Sequence, residues 1–237
     1  MLIGEEVMMK HKKLHEFESV ISYQFKNMKL LIQSLTHSSY ANENNLKKIE
    51  NNERLEFLGD AVLEIVTSDY LYHKYPENLE GELTKLRASL VCEPTLATFA
   101  KEISLDKYIL LGKGEDASGG RKRNSVLSDT VEALIGAIYL DGGIDEAKQF
   151  IEHTLLADIQ SRQRFVDSKT QLQEYIQQFS DYPIEYRVMS EMGPDHDKHF
   201  DVHVYHDGVV IGQGSGRSKK GAEQSAAMDA LLKIESK

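Results

Sequence analysis

The spacing of apolar residues predicts helices over most of the chain. Apolar positions in residues 14–41 predict two short helices with a turn near Asn27, and the polar stretch 42–52 predicts a loop. A long helix is expected to begin at Glu53 and to end by Pro76, because proline cannot continue a helix. The residues on its predicted apolar side are Leu55, Leu58, Val62 and Ile65.

Further helices are predicted up to about residue 160, and no strand is evident in this part. Leu83, Leu86 and Leu90 mark one helix, and Glu93–Pro94 opens the next. The stretch from Gly112 to Asn124 interrupts the pattern with four glycines and several cations. It predicts a loop that contacts phosphate, and an ordinary surface loop is the alternative.

The last seventy residues change character. Leu172, Tyr175, Ile176 and Phe179 repeat at helical spacing. Three short alternating segments then predict strands, with Asp207–Gly208 as one of the turns, and a closing helix follows. The predicted fold is therefore an all-α domain over residues 1–162, a linker at 163–167 and an α+β domain of order α-β-β-β-α over 168–237.

Composition limits where and how the protein works. No apolar run approaches the roughly 18 residues of a membrane span, so we expect no membrane association. Cys92 is the only cysteine, which favours a reducing cytoplasm. The net charge is −10, with −8 in residues 1–160 and −2 in residues 161–237. Any contact with nucleic acid must therefore come from local basic clusters.

One side of the helix that begins at Glu53 carries a stripe of carboxylates. At about 100° per residue, Glu53, Glu56, Asp60 and Glu64 fall within an arc of roughly 80°. Solvated helix faces usually place Lys or Arg four residues from an acid, whereas here like charges are stacked. The stripe indicates a cation site, and a solvated face is the alternative.

A second carboxylate pair, Asp129 and Glu132, precedes an apolar run. The same spacing is that of a capping box, in which both acids would only bind free N–H groups at a helix start. Small residues next to both acidic segments would instead let two helices approach closely and pool four carboxylates. These are Gly59, Ala61, Ala133, Gly136 and Ala137. Oxygen ligands without Cys or His nearby favour Mg²⁺ or Mn²⁺ over Zn²⁺.

The acidic segments resemble two motifs of the ribonuclease III family, endonucleases that act on double-stranded RNA. Residues 53–65, ERLEFLGDAVLEI, resemble the family's signature motif, and residues 129–133, DTVEA, resemble its second acidic motif. Residues 36–39 and 118–121 resemble the segments that precede these motifs. The resemblance extends from about Leu14 to the C-terminus.

The resemblance implies roles for individual residues of the first domain. The implied metal ligands are Glu56, Asp60, Asp129 and Glu132, of which Asp60 and Glu132 are also expected to be catalytic. Glu53 and Glu80 would be further acids of the catalytic valley, although a first-turn helix acid explains Glu80 equally well. Phe57 projects beside the acidic stripe. The family's paired subunits imply that it enters the partner of a homodimer, and packing within its own chain is the alternative.

The C-terminal order of elements, with KKGAE at residues 219–223 opening the second helix, resembles the double-stranded RNA-binding domain. Cations at a helix N-terminus attract phosphate, and polar groups on the first helix and on the loop between the first two strands could reach ribose hydroxyls. Exposed polar residues that contact only solvent are the alternative. The predicted RNA-binding residues are Gln171, Glu174, His196, Arg217, Lys219 and Lys220.

These observations predict a cytoplasmic, homodimeric endoribonuclease that hydrolyses double-stranded RNA with Mg²⁺, for which Mn²⁺ can substitute. By the resemblance, it would leave 5′-phosphate and 3′-hydroxyl ends with short 3′ overhangs, and would process ribosomal RNA precursors and other structured transcripts. No small-molecule cofactor is expected. One alternative is a non-catalytic double-stranded RNA-binding protein, against which the complete set of acids argues. Another is a metal phosphohydrolase of small nucleotides, for which the RNA-binding module would be superfluous.

Overall fold

The computed structural model describes residues 13–157, 159, 168–192, 198–216 and 218–235. Its Cα positions divide the chain into two units, Met1–Ile159 and Gln160–Lys237. The predicted linker, 163–167, and the predicted RNA-binding residues His196 and Arg217 lie outside the described residues. The predicted domain boundaries at 162 and 168 stay predictions, since residues 160–167 are not described.

The first unit is helical over its described residues, apart from one isolated β-bridge between Thr36 and Leu110. Its helices are α1 (described over 13–21), α2 (Met28–Ser34), α3 (Ser38–Glu43), α4 (Glu53–Lys74), α5 (Glu80–Val91), α6 (Glu93–Glu102), α7 (Lys113–Ala117), α8 (Asn124–Gly142) and α9 (Ile144–His153). Single turns of 3₁₀ helix cover Lys48–Glu50, Leu105–Lys107 and Gly120–Lys122. No described helix is long and apolar enough to cross a bilayer.

The N-terminal region contains one helix more than the apolar spacing predicts. Two helices were expected in residues 14–41, and the structure has α1, α2 and α3 there. The additional helix begins after His37, whose ring Nδ1 accepts a hydrogen bond from the Ser39 N–H at 3.2 Å. A side-chain acceptor at this position stabilises a helix start without any apolar repeat.

Helix α8 is the most buried helix of the first unit, and α4 packs against it. Its fully buried side chains include Leu127, Leu134, Ile135 and Ile138. Burying one such side chain contributes about 1.5–3 kcal/mol relative to leaving it in water. The apolar sequence of α8 thus supplies the centre of the core of the first unit.

The buried side of α4 is rotated from the predicted one. Of the residues predicted on the apolar side, Leu55 and Val62 are buried and Leu58 is half-buried. Gly59 is buried among them. The prediction for Ile65 is wrong, because its side chain is 61% exposed. Because Gly59 lacks a side chain, this position of α4 can face α8 directly. With Gly59 facing α8, Ile65 lies outside the contact between the two helices.

Helices α4 and α8 touch through two glycines. A Cβ on Gly59 would lie 1.8 Å from the Glu132 carbonyl oxygen, and a Cβ on Gly136 would lie 2.3 Å from the Leu55 carbonyl oxygen. Any larger residue would force the two backbones apart. Asp60 follows Gly59, and Glu132 supplies the contacted carbonyl, so this contact sets the spacing of the two acidic helices.

The second unit has the predicted order α-β-β-β-α, and the predicted fold class is confirmed. Its elements are α10 (Ser168–Gln177), β1 (Ile184–Met192), β2 (His199–His206), β3 (Val209–Gly216) and α11 (Lys219–Glu235). The strands form one antiparallel sheet in the order β1-β2-β3. Asp207 and Gly208 both have positive φ, 48° and 72°, as a two-residue hairpin turn requires. Helix α11 packs on this sheet, and Leu172 of α10 joins the same core.

The glycine contact predicts a large difference between chemically identical substitutions. We expect Gly136→Ala to lower the free energy of unfolding by at least about 3 kcal/mol, because a backbone oxygen occupies the methyl position. Gly81→Ala in α5 is the matched control, since a Cβ there meets no atom within 4 Å. It should be neutral or stabilise by up to about 1 kcal/mol. Urea unfolding followed by circular dichroism measures both, and equal midpoints for the two variants would contradict the contact.

Candidate active site

Three carboxylates from two helices converge at the crossing of α4 and α8. One oxygen atom from each of Glu56, Asp129 and Glu132 lies within 4.8 Å of the others. Asp60 lies one turn after Glu56 on α4, is exposed, and is close enough for its charge to act on Glu56 and Glu132. The structure thus brings the acids of the two predicted motifs into one group.

Asp129 and Glu132 do not form the capping box that was the alternative explanation. Helix α8 begins at Asn124, after Arg123, so Asp129 lies in its second turn and Glu132 in its third. Backbone N–H groups at these depths already bind the preceding turn. The pair therefore has no end of a helix to cap.

Burial and repulsion between the carboxylates raise the pKa of both glutamates in the cluster. Burial, followed by the charges of Asp129, Glu53 and Asp60, raises the pKa of Glu56 to about 6. Burial, followed by the charges of Asp60, Asp129 and Glu56, raises the pKa of Glu132 to about 8. Close like charges disfavour ionisation unless a cation offsets them.

The surroundings of Asp129 have opposing effects on its pKa. Burial raises the pKa of its carboxyl group, whereas a hydrogen bond from Ser128 and the charge of His37 act in the opposite direction. The Ser128 hydroxyl donates to the Asp129 carboxylate at 3.3 Å. His37 was not predicted to have a role of its own, and its place in the segment 36–39 is the only signal for it in the sequence.

The donor set fits a hard divalent cation. The three clustered side chains offer carboxylate oxygens from two helices whose backbones are in contact. Mg²⁺, Mn²⁺ and Ca²⁺ prefer oxygen ligands, whereas a zinc site would usually include Cys or His. Glu56, Asp129 and Glu132 could hold such an ion directly, with Asp60 beside them.

Glu64, unlike the other acids in the stripe, is paired with a base. Arg87 of α5 forms an ion pair with it at 2.8 Å and also donates to the Ser68 hydroxyl at 2.9 Å. A base from a neighbouring helix cannot be read from the spacing within α4. The continuous acidic stripe is therefore divided into a clustered part and a neutralised part.

The two additional predicted acids lie outside the three-residue cluster. Glu53 is exposed in the first turn of α4, and its charge contributes to raising the pKa of Glu56. Glu80 is exposed in the first turn of α5, where its carboxylate accepts a hydrogen bond from the Thr84 hydroxyl at 2.9 Å. The local contact of Glu80 is that of an ordinary first-turn acid.

The arginines of the glycine-rich segment have internal partners. Arg121 donates to the Asp116 carboxylate from two nitrogens, both at 2.9 Å, and to two backbone carbonyls. Arg123 pairs with Glu115 at 2.8 Å. The segment is not the predicted irregular loop, because it contains α7 and the 3₁₀ turn Gly120–Lys122. The contacts of its two arginines fold it onto itself.

In the second unit, the described RNA-binding candidates lie on two helices. Gln171 is half-buried and Glu174 is exposed on α10, while Lys219 and Lys220 are exposed in the first turn of α11. Lys219 Nζ lies 4.0 Å from a carboxylate oxygen of Glu191. Lysines at the start of α11 combine their charge with the N-terminal end of the helix dipole.

Comparisons with known proteins agree with both units. The family model described as ribonuclease-III-like matches residues 27–159, and the double-stranded RNA binding motif matches residues 168–234. The chain is 50% identical to "Ribonuclease 3" of Listeria monocytogenes over 221 residues, 92% of this chain and 96% of that protein. It is 49% identical to "Ribonuclease 3" of Bacillus licheniformis over 228 residues, 95% of this chain and 92% of that protein.

A solved structure adds agreement in the fold. The nuclease domain of ribonuclease III from Campylobacter jejuni is 44% identical, covers 62% of this chain and 96% of its own, and superposes with a TM-score of 0.57. The family and the acidic cluster together indicate a divalent metal ion as cofactor. The chain belongs to the ribonuclease III family, is of the bacterial type, and is an endoribonuclease that cleaves double-stranded RNA.

Proposed function

We propose that Mg²⁺ is the ion that this endoribonuclease uses, that Mn²⁺ can substitute, and that Glu56, Asp60, Asp129 and Glu132 hold it. The observation that carries the proposal is the convergence of three carboxylate oxygens within 4.8 Å, with a fourth acid one turn away. Only a hard cation makes such a concentration of negative charge favourable.

The acids act on the reaction by placing charge rather than by attacking the substrate. A bound divalent ion lowers the pKa of a coordinated water and offsets charge on a transferring phosphate. Glu56, Asp129 and Glu132 would hold that ion between α4 and α8, whose spacing the glycine contact sets. Hydrolysis by water needs no nucleophile from the protein, and we propose products with a 5′-phosphate, a 3′-hydroxyl and short 3′ overhangs.

We propose that α10 and the start of α11 hold the duplex. Lys219 and Lys220 would contact phosphates, and Gln171 and Glu174 would reach ribose hydroxyls across the minor groove. The exposed positions of Lys219, Lys220 and Glu174 support this assignment. His196 and Arg217 are proposed RNA contacts on the family resemblance alone.

We propose that the chain acts as a homodimer through the apolar flank of α4. Phe57, Ile65 and Tyr72 are exposed by 81%, 61% and 69%, and at helical spacing they follow one side of α4 beside the acids. This exposure contradicts the alternative that Phe57 packs within its own chain. A second solved structure of the Campylobacter jejuni nuclease domain (45% identical, 60% of this chain and 94% of that chain covered, TM-score 0.56) has structural flexibility in a region involved in dimer formation.

We further propose that the enzyme works in the cytoplasm and processes ribosomal RNA precursors and other structured transcripts. A single cysteine with no possible internal disulfide suits a reducing compartment. Sequencing of transcripts that accumulate when the enzyme is depleted would identify its substrates directly.

Replacing Glu132 separates metal binding from RNA binding. We expect Glu132→Gln to lower single-turnover cleavage of duplex RNA by at least about a hundredfold, because a charged ligand of the cation is lost. Duplex affinity, measured with a chelator present, should change by less than about threefold, since the second unit is intact.

Glu64→Gln is the matched control for this test. It makes the same chemical change on the same helix, but at a carboxylate that Arg87 already neutralises. Cleavage by this variant should stay within about threefold of the wild type. Near-normal cutting by Glu132→Gln at saturating Mg²⁺ would remove Glu132 from the ligand set.

The raised pKa of Glu132 predicts a pH dependence of stability in metal-free protein. Between the ordinary value of 4.5 and about 8, the folded chain keeps a proton that the unfolded chain releases. Stability from this group is therefore present below the ordinary value and is lost as pH rises through the raised pKa.

In chelator, we expect the melting temperature of the wild type to fall relative to Glu132→Gln as pH rises from about 5.5 to 8.5, since glutamine cannot ionise. Added Mg²⁺ should reverse the trend, because the ion favours the charged carboxylates. A difference between the two melting temperatures that does not change with pH would contradict the clustered geometry.

Phe57→Ala tests the dimer. We expect this variant to dissociate at a protein concentration at least about tenfold higher than the wild type, because a buried aromatic is lost from each side of a symmetric contact. Sedimentation across a dilution series measures the shift. Phe179→Ala is the matched control, since Phe179 is 74% exposed in the second unit. Identical sedimentation of both variants and the wild type would place the interface elsewhere.

A further inference from the structure

His37 is held in one orientation by a short chain of hydrogen bonds. Its Nδ1 accepts from the Ser39 N–H at 3.2 Å and lies 2.8 Å from the Ser39 hydroxyl oxygen. That oxygen in turn accepts from the Gly112 N–H at 2.9 Å. Because Nδ1 accepts from the Ser39 N–H, it carries no hydrogen, and the Ser39 hydroxyl is the donor in its own contact with Nδ1.

This arrangement fixes which ring nitrogen carries the proton. A nitrogen that accepts a hydrogen bond carries no proton, so a neutral ring whose Nδ1 accepts from the Ser39 N–H has its proton on Nε2. Among the described residues, the hydrogen bonds and ion pairs of the His37 ring involve Nδ1 alone. The structure therefore presents Nε2–H as a donor without a protein acceptor.

Backbone hydrogen bonds connect the segment that carries this donor to the start of α4. The His37 N–H donates to the Leu110 carbonyl at 3.1 Å, and the Thr36 carbonyl accepts from the Asn52 N–H at 2.9 Å. Asn52 immediately precedes α4. On the other helix, His37 is close enough to Asp129 for a positive charge on its ring to act on that carboxylate. These contacts place the His37 backbone next to the residue that precedes α4, and its ring within electrostatic range of Asp129.

The position matters because the rest of the cluster repels a phosphate. The charges that act on Glu56 and Glu132 all come from other acids. A bound divalent ion offsets part of this charge, but the non-bridging oxygens of a phosphate gain negative charge as the bond breaks. Fixed N–H donors aimed at such oxygens stabilise a transition state more than a ground state.

We propose that His37 is a catalytic residue that donates a hydrogen bond from Nε2–H to a non-bridging oxygen of the phosphodiester being cut. The Ser39 hydroxyl and the Gly112 N–H act as positioning groups that hold the donor in this tautomer. The inference rests on the proposed role of the acidic cluster, since it needs the scissile phosphate to lie there.

The competing explanation is that His37 only begins α3. Two substitutions separate the roles, because they preserve different parts of the ring. His37→Asn keeps an acceptor near the Nδ1 position and is a favourable residue at a helix start, but it has no atom at the Nε2 position. His37→Gln places an amide N–H near the Nε2 position and is a poorer helix start.

The experiment measures single-turnover cleavage of a labelled RNA duplex by full-length wild type and both variants at saturating Mg²⁺. Melting temperature and duplex affinity in chelator are measured in parallel. We expect His37→Asn to melt like the wild type and to bind the duplex within about twofold, yet to cleave at least about tenfold more slowly. His37→Gln should cleave faster than His37→Asn even where it melts at a lower temperature.

Either of two results would overturn the proposal. His37→Asn that cleaves like the wild type would reduce His37 to a helix cap, and His37→Gln no faster than His37→Asn would show that an N–H at this place does not matter. A Glu132→Gln variant that cleaves as fast as the wild type would instead refute the proposed metal site. The two failures are therefore distinguishable.

Discussion

Two backbones touch where α4 crosses α8 at Gly59 and Gly136, and the geometry of the nuclease site depends on that contact. A methyl group at either position would overlap a carbonyl oxygen of the opposite helix. The close packing at this point leaves little room for the helices to shift, because protein interiors are as dense as organic crystals. The contact lies one residue from Asp60 and at the carbonyl of Glu132. Two glycines, which carry no chemistry, thus determine how near the carboxylates lie to one another.

That proximity is unfavourable by itself. Burial and the charges of neighbouring acids raise the pKa of Glu132 to about 8, so at neutral pH the metal-free protein retains a proton on Glu132 that an isolated glutamate would lose. The surrounding core holds the arrangement in place, since α8 is buried over most of its length. A divalent cation reverses the balance because it stabilises every carboxylate it contacts. The same repulsion that disfavours the ionised, metal-free cluster therefore favours binding of a cation.

Features that depend on one segment could be predicted from the sequence, and features that depend on two could not. The bounds of α4, the α-β-β-β-α order and the Asp207–Gly208 turn follow from local periodicity and turn chemistry. The exposure of Ile65 follows from the way α8 meets Gly59, and the neutralisation of Glu64 requires Arg87 from α5. Grouping Asp129 with Glu56 is an exception, because small residues beside both acidic segments, among them Gly59 and Gly136, already favoured a close helix contact over a capping box.

The distribution of charge explains how a chain with net charge −10 can serve a polyanionic substrate. At physiological ionic strength, screening limits the range over which an exposed charge acts to about 8 Å. A phosphate therefore responds to the charges near it rather than to the net charge of the protein. Some acids are neutralised by bases of the same unit, as Asp116 is by Arg121 and Glu223 by Lys169. Others are grouped where a cation is required. Lys219 and Lys220, at the exposed start of a helix, can then attract phosphate although acids outnumber bases in their own unit.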